Sequence, residues 1–463
     1  MKSDFPNLAL SKSDGLLSIA QRIGLGIAVL GMTVLMLATF DQLQGILWLT
    51  VGVVSLTISP IIVGIGQYMS KPSGVKNDGA WHAQLTARGA FAWMLGVFLT
   101  AFYVLLYWFP SLLGKGSEGQ ANSGLVALFN PLSLYLNGGI ASEWFVYGTL
   151  YTIAILGLGI KFAMKYRHNR YQLIRTLSVV ISQVFLAYFI PEILQGMNQD
   201  QPYFSKDIKN MWPLNYYFFD SWHLDNMRAS SLGMFYLVVG VFMFTFVAPV
   251  VTYFVGKRWY CSWVCGCGGL AETAGDSFRH LSSKKLSTWK LERWMLHGVM
   301  VLVFIMTAAT LYGYFTGATT IFGLDIYHTF RKPYGFLIGA AFSGVVGVGF
   351  YPLLGNRVWC RLGCPLAGYM GIIQRFKSRF RITTNGGQCI SCGNCSTYCE
   401  MGIDVKSYAQ RGQDIVRASC VGCGICSAVC PRGVLNLENG TTSSDRHDSN
   451  PITFGNDGVK LRL

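Results

Sequence analysis

The sequence predicts a mainly α, polytopic helical membrane protein with a small α+β unit near its C-terminus. Three observations carry that prediction. Apolar stretches long enough to cross a bilayer recur along the 463 residues, of which 52% are hydrophobic and only 13% charged, and the mean hydropathy is +0.38. Lys and Arg gather in alternate connections between those stretches. All thirteen cysteines fall at or after residue 261, where the connections are basic.

Taken in order, residues 1–21 form a polar cytoplasmic leader without a small-residue cleavage site, so a removable signal peptide is not expected. Eight apolar spans follow, at 22–40, 46–68, 88–109, 144–164, 175–195, 231–255, 293–314 and 334–354. Basic residues cluster in every second connection: Lys71, Lys76 and Arg88; Lys165, Arg167, Arg170 and Arg175; Lys257, Arg258, Arg279, Lys284 and Lys285; then Arg357, Arg361, Arg375, Lys377, Arg379 and Arg381. Between them, 41–45 has no Lys or Arg and 110–143 only Lys115; in 196–230, Lys206, Lys209 and Arg228 stand against several Asp. The positive-inside rule then puts both termini in the cytoplasm of a bacterial inner-membrane protein. The net charge of +15 reads as topology rather than as a nucleic-acid surface. Every cysteine lies in a segment assigned to the reducing side, which favours metal or cluster ligation over disulfides.

Residues 22–230 hold five spans and an aromatic, Asp-rich outer loop, with no recognisable chemical motif. Residues 231–382 contain a repeat. KRWYCSWVC and NRVWCRLGC stand 99 residues apart, each with Arg three residues before its first Cys and a second Cys four residues after it. In a helix, positions i and i+4 share a face, so Cys261/Cys265 and Cys360/Cys364 each present two thiols together. Pro365 instead favours an extended Cys364 that closes its helix. These four, with Cys267, are candidates for a further cluster or metal site at the membrane edge. The alternatives are a redox-active dithiol pair or buried, unliganded thiols. Glu272 and Asp276 either face that site or cap a solvated helix. His297, the one histidine inside a span, reads as a hydrogen-bonded core residue, so no bis-histidine haem is expected. Asp325 and His328 read as an ordinary polar loop, or as a proton relay for a quinol. Gln374–Ile382 (QRFKSRFRI) reads as a basic amphipathic connector on the inner membrane surface.

Residues 383–437 carry the strongest signal. Cys389, Cys392, Cys395 and Cys399 follow C-x2-C-x2-C-x3-C; Cys420, Cys423, Cys426 and Cys430 repeat it, with Pro431 after the last. This is the bacterial ferredoxin arrangement for two [4Fe–4S] clusters, in which each fourth cysteine serves the other cluster. One cluster then takes Cys389, Cys392, Cys395 and Cys430, and the other Cys420, Cys423, Cys426 and Cys399. Four-cysteine sites also suit zinc, which is the alternative. Glu400 stands where a proline is usual. It is either a solvated surface residue or a charge that lowers a nearby cluster's potential. The Ser/Thr/Asn/Asp-rich tail 438–463 reads as disordered. No phosphate-binding loop, dinucleotide fingerprint or Ser/His/Asp arrangement is present.

Span-terminal C-x3-C, then C-x3-C-P, then a tethered two-cluster ferredoxin domain resembles the membrane-bound polyferredoxin-like NapH/NosR/CcoG group over residues 231–437. The match is complete at Cys360, Cys364 and Pro365. It departs at Gly266, where the group has proline, and at the additional Cys267. The resemblance implies an electron-transfer component rather than a stand-alone enzyme. Electrons would pass between a quinone pool or a membrane redox partner and two cytoplasmic [4Fe–4S] clusters. The alternatives are an accessory protein for a copper or haem oxidoreductase, or a membrane redox sensor. Lipid, a redox protein and quinone are the expected partners; nucleic acid is not.

Overall fold

The computed structural model describes residues 17–69, 88–117, 120–197 and 207–439, together with the strand pair at 452–455 and 458–461. The leader up to residue 16, Lys71, Lys76, Lys206 and most of the tail lie outside the described residues.

Six long helices come first: α1 (Ile19–Thr39), α2 (Ile46–Met69), α3 (Ala90–Trp108), α4 (Glu143–Lys165), α5 (Arg170–Met197) and α6 (Ser231–Val255). The short α7 (Gly266–Thr273) precedes a seventh long helix, α8 (Leu286–Thr316), and α9 (Pro365–Phe376) follows later. Each of the seven long ones is long and apolar enough to cross a membrane. Starts are set by side-chain caps: Ser18 accepts from the Gln21 amide, Ser142 from Phe145, and Asn169 from Gln172. Small residues let the first helices pack closely. A Cβ on Gly24 would stand 2.7 Å from Val63, and one on Gly157 2.6 Å from the Thr57 carbonyl. Large apolar side chains such as Phe235, Val238, Phe242 and Phe246 of α6 face outward, as a lipid-exposed surface requires.

The eighth expected span, 334–354, is shifted: an unbroken helical run over 327–346 is followed by turns and a short helix. Residues Gly335–Val346 are wound as π-helix, 347–350 are turns, and a short helix resumes at Tyr351–Leu354. Gly347, Gly349 and Pro352 interrupt regular winding beyond that run. The connector Gln374–Ile382 leads from α9 into a strand, with Arg375, Phe376 and Lys377 exposed. Gln374 is buried at the end of α9, and the alternating FRITT becomes strand β3 (Phe380–Thr384). A hairpin of β1 (Thr320–Ile321) and β2 (Leu324–Asp325) has already followed α8.

β3 pairs antiparallel with β4 (Leu435–Asn439), from Phe380↔Asn439 to Thr384↔Leu435, and the two enclose the cysteine-rich unit. Two parts of 438–463 lie among the described residues. β4 runs to Asn439, and β5 (Ile452–Gly455) pairs with β6 (Gly458–Leu461). Ile452, Thr453, Phe454 and Val459 supply the strand preference.

Candidate functional site

All thirteen cysteines are free thiols. Cys389, Cys392, Cys395 and Cys430 line one pocket with Ile390, Ala409, Pro431, Val434 and Leu435. Burial and the neighbouring thiols of Cys392, Cys430 and Cys389 push Cys395 up to about 12. Cys426 is likewise raised by burial, then by Cys423, Cys420 and Cys399 beside it. The first four thus share one pocket, with Cys430 drawn from the other motif, while Cys426 feels Cys423, Cys420 and Cys399 and, after them, Cys395. Gly393, Gly422 and Gly424 hold left-handed backbone angles (φ +80, +67 and +75) that let the loops turn their thiols inward. Four thiols among apolar walls, without carboxylates, are a soft donor set that fits an iron–sulfur cubane and excludes a hard cation at the first pocket.

The remaining five cysteines, Cys261, Cys265, Cys267, Cys360 and Cys364, line a single pocket with Leu214, Tyr260, Trp359, Leu366 and Ala367. Its geometry is a structural repeat. Cys261 ends a short helix (Arg258–Cys261) and Cys360 lies inside another (Val358–Leu362), while Cys265 and Cys364 are the N-caps of α7 and α9. The Cys265 amide donates to the Tyr260 carbonyl at 2.8 Å, and the Cys364 amide to that of Trp359 at 3.0 Å. A break between the paired thiols, not one continuous helical face, brings each pair together. Cys267 lines the same pocket from the first turn of α7.

The sequence places these thiols at the membrane edge; the structure recesses them into the bundle. Gly266 packs against Tyr151 of α4 and Gln183 of α5. Both are interior positions, ~20 Å by helix rise from the Lys165 and Arg170 ends where the cysteine-rich unit docks. The segment after residue 206 reaches the same depth. Tyr260 Oη donates to the Lys209 carbonyl at 3.0 Å, and the Ile208 amide to that of Leu186 at 3.3 Å.

A buried charge cluster joins the recessed pocket to the second set of motif thiols. Arg357 Nη1 lies 3.8 Å from Cys360 Sγ and donates to the Cys261 carbonyl at 3.3 Å. Its Nη2 pairs with Glu400 at 3.0 Å and with Glu272 at 3.5 Å. Arg279 pairs with Glu400 and Asp276 at 2.9 Å, Arg175 with Glu272, and Lys165 with Asp276 at 2.5 Å. Glu272, Glu400 and Cys423 present donor atoms within 4.8 Å of one another, but the arginines already hold both carboxylates. Glu400 is thus fully buried rather than solvated. Burial opposes its ionisation, yet Arg279, Arg357 and Arg175 outweigh that and hold its carboxyl at about 2. Glu272 and Asp276 are ion-paired and do not cap a solvated helix.

Several other residues at the junction carry no sequence signal. Tyr171 Oη donates to the Gly422 carbonyl at 2.8 Å and Gln172 Nε2 to that of Cys423 at 2.7 Å, fastening the second loop to α5. Ser262 Oγ donates to the Val421 carbonyl at 3.0 Å. Glu292 of α8 binds Arg361 at 2.8 Å and also Ser419. Lys257 is fully buried, its Nζ has no hydrogen-bond partner, and its charge acts on both Cys261 and Cys420. Away from this junction, His297 is half-exposed and only meets its own helix, at the Arg293 carbonyl. Asp325 accepts from the His328 amide at 2.6 Å, a helix-start contact and not a side-chain relay.

Residues 238–288 and 336–383 match a family model described as a 4Fe-4S binding domain, and residues 388–435 match one described as a 4Fe-4S dicluster domain. The two segments of the first match each contribute one half of the recessed pocket. The chain is 28% identical over 200 residues to the putative electron transport protein YccM of Escherichia coli (strain K12), a stretch covering 40% of this chain and 54% of that protein. It therefore spans about half the length of that relative. No solved structure matches. With seven membrane-compatible helices among the described residues and cysteines grouped as above, this chain is a multi-pass, membrane-associated 4Fe–4S protein.

Proposed function

We propose that this chain is an integral-membrane electron-transfer protein, working between a quinone pool or a membrane partner and [4Fe–4S] clusters on the cytoplasmic side. Three sets of thiols hold the clusters: Cys389, Cys392, Cys395 and Cys430; Cys399, Cys420, Cys423 and Cys426; and, recessed in the bundle, Cys261, Cys265, Cys360 and Cys364. Bound there, the clusters supply one-electron redox chemistry. The chain supplies deprotonatable thiols, burial and compensating charge. The observation that carries the reading is contiguity. Arg357, Glu400, Ser262 and Lys257, all buried, join the recessed pocket to the second thiol set. The basic connections support a cytoplasmic placement of the termini and the cysteine-rich unit.

Cys267 favours a second reading. A fifth thiol on the wall of a four-thiol pocket suits handling of a metal or a disulfide in an accessory protein for a copper or haem oxidoreductase. Anaerobic iron and sulfide analysis with electron paramagnetic resonance tests the first reading. It expects ~12 iron per chain, falling to ~8 in Cys261→Ser with one signal lost. A wild-type content of ~8 overturns the recessed cluster and leaves that pocket to the accessory role.

A further inference from the structure

The cysteine-rich unit has two unlike sides. One is fastened to the helices through Tyr171, Gln172, Ser262 and Glu292, and there Lys165, Arg175, Arg279, Arg357 and Arg361 lie in ion pairs with internal acids, while Lys257 is fully buried. The other side carries the first thiol pocket. Cys392 is exposed there, beside Ile390 at 56% exposure and Pro431.

Cations rim that opening. Lys406 and Arg432 line the pocket, and Arg411 lies at the end of the helix that contributes Lys406 and Ala409. Arg411 hydrogen-bonds only within its own turn, to the carbonyl and hydroxyl of Ser407, which leaves its charge uncompensated. Among the described residues none of these three cations is in an ion pair. No acidic residue from 387 to 439 is exposed: Glu400 is buried, and Asp404, Asp414 and Glu438 are half-buried, with Asp404 accepting from Ser396 Oγ at 2.8 Å. A small apolar spot over an exposed thiol ligand, ringed by unpaired cations, is electrostatically complementary to an acidic protein surface. A lipid headgroup is disfavoured, because the pocket is lined by residues between 389 and 435 alone, with none from the membrane-compatible helices.

We propose that the face around Cys392, formed by Ile390, Pro431, Lys406, Arg411 and Arg432, docks a small, acidic, soluble one-electron carrier protein. The proposal rests on the electron-transfer reading above and names its soluble partner. One electron crosses per encounter: the carrier loses or gains it, this chain gains or loses the same one, and no bond or proton is exchanged. Charge attraction brings the carrier in, and the small apolar contact allows quick release.

The test uses the full chain in detergent with its clusters in place, and a plant-type [2Fe–2S] ferredoxin as the acidic probe. Affinity is measured by anisotropy of the labelled probe at low and high salt. Binding at an ionic strength of ~0.02 M should weaken at least ~10-fold on raising it to ~0.5 M. Arg411→Glu, at a residue outside the thiol pocket, should weaken binding several-fold at low salt, with Arg411→Gln in between, while iron content and spectra stay as in the wild type. Salt-independent binding, or equal affinity of the reversed-charge variant, overturns the docking surface. So does preferential binding of anionic vesicles or RNA over the ferredoxin. A wild-type chain that incorporates no clusters overturns the electron-transfer reading instead, so the two failures are distinguishable.

Discussion

Replacing Glu400 by Gln removes the one anion shared by Arg279 and Arg357 inside the protein. Glu400 is fully buried and lies 2.9 Å from Arg279 and 3.0 Å from Arg357. Two lines of reasoning give the magnitude. Breaking a buried ion pair by removing one partner costs ~3–5 kcal/mol, because the remaining charge is left uncompensated. Here Asp276 and Glu272 still face the two arginines, which argues for the lower end. Independently, the carboxyl sits at about 2 against an ordinary 4.5, a linkage of roughly 3 kcal/mol at neutral pH. The sign follows from the depressed value. The contribution is complete above pH 4.5 and is lost as pH falls from there through 2. The assay is the rate at which the detergent-solubilised protein loses its cluster absorbance at a fixed elevated temperature, followed from pH 7 to pH 3. Glu400→Gln should bleach faster by up to ~100-fold at pH 7, and the gap should narrow only below pH 4.5. Equal rates at pH 7 would refute the argument that this carboxylate holds the junction together.

Two further outcomes follow from the same interior. His280 is held down to about 4 by burial, then by Lys284, Arg88 and Lys165. Its stabilising effect should be present above pH 6.5 and decline as pH falls towards 4; a His280→Gln variant should show a flatter stability profile over that window. Lys257→Met deletes a buried, unpartnered ammonium next to Cys261 and Cys420. Redox titration followed by electron paramagnetic resonance should show the neighbouring cluster signals shifting to more negative potential, with Lys257→Arg restoring them; an unchanged titration would remove Lys257 from the electrostatics of both sites.

The helical membrane architecture and the grouping of motif thiols were legible in the sequence because both are local. A span is a run of apolar residues, and C-x2-C-x2-C sets three thiols around one point through a few backbone angles. Even the recessed pocket was half-visible, as a repeat of R-x-x-C-x3-C. Glu400 and Glu272 were not legible as interior residues. Charged side chains are ordinarily exposed, and their partners Arg175, Arg279 and Arg357 come from distant segments. The eighth span was legible as apolar but not in its bounds, because composition alone does not report where its helical winding ends, at residue 346.

The sequence by itself determined that this chain crosses membranes repeatedly and carries eight cysteines in a two-cluster spacing, since run length and short-range spacing are properties of contiguous residues. Only the tertiary structure decided that five further thiols, from two segments 99 residues apart in register, share one pocket, and that it lies deep in the bundle. It also decided that a buried lattice of arginines and carboxylates ties that pocket to the cysteine-rich unit. Those contacts join residues tens to hundreds of positions apart, and packing against α4 and α5, not spacing, sets their depth.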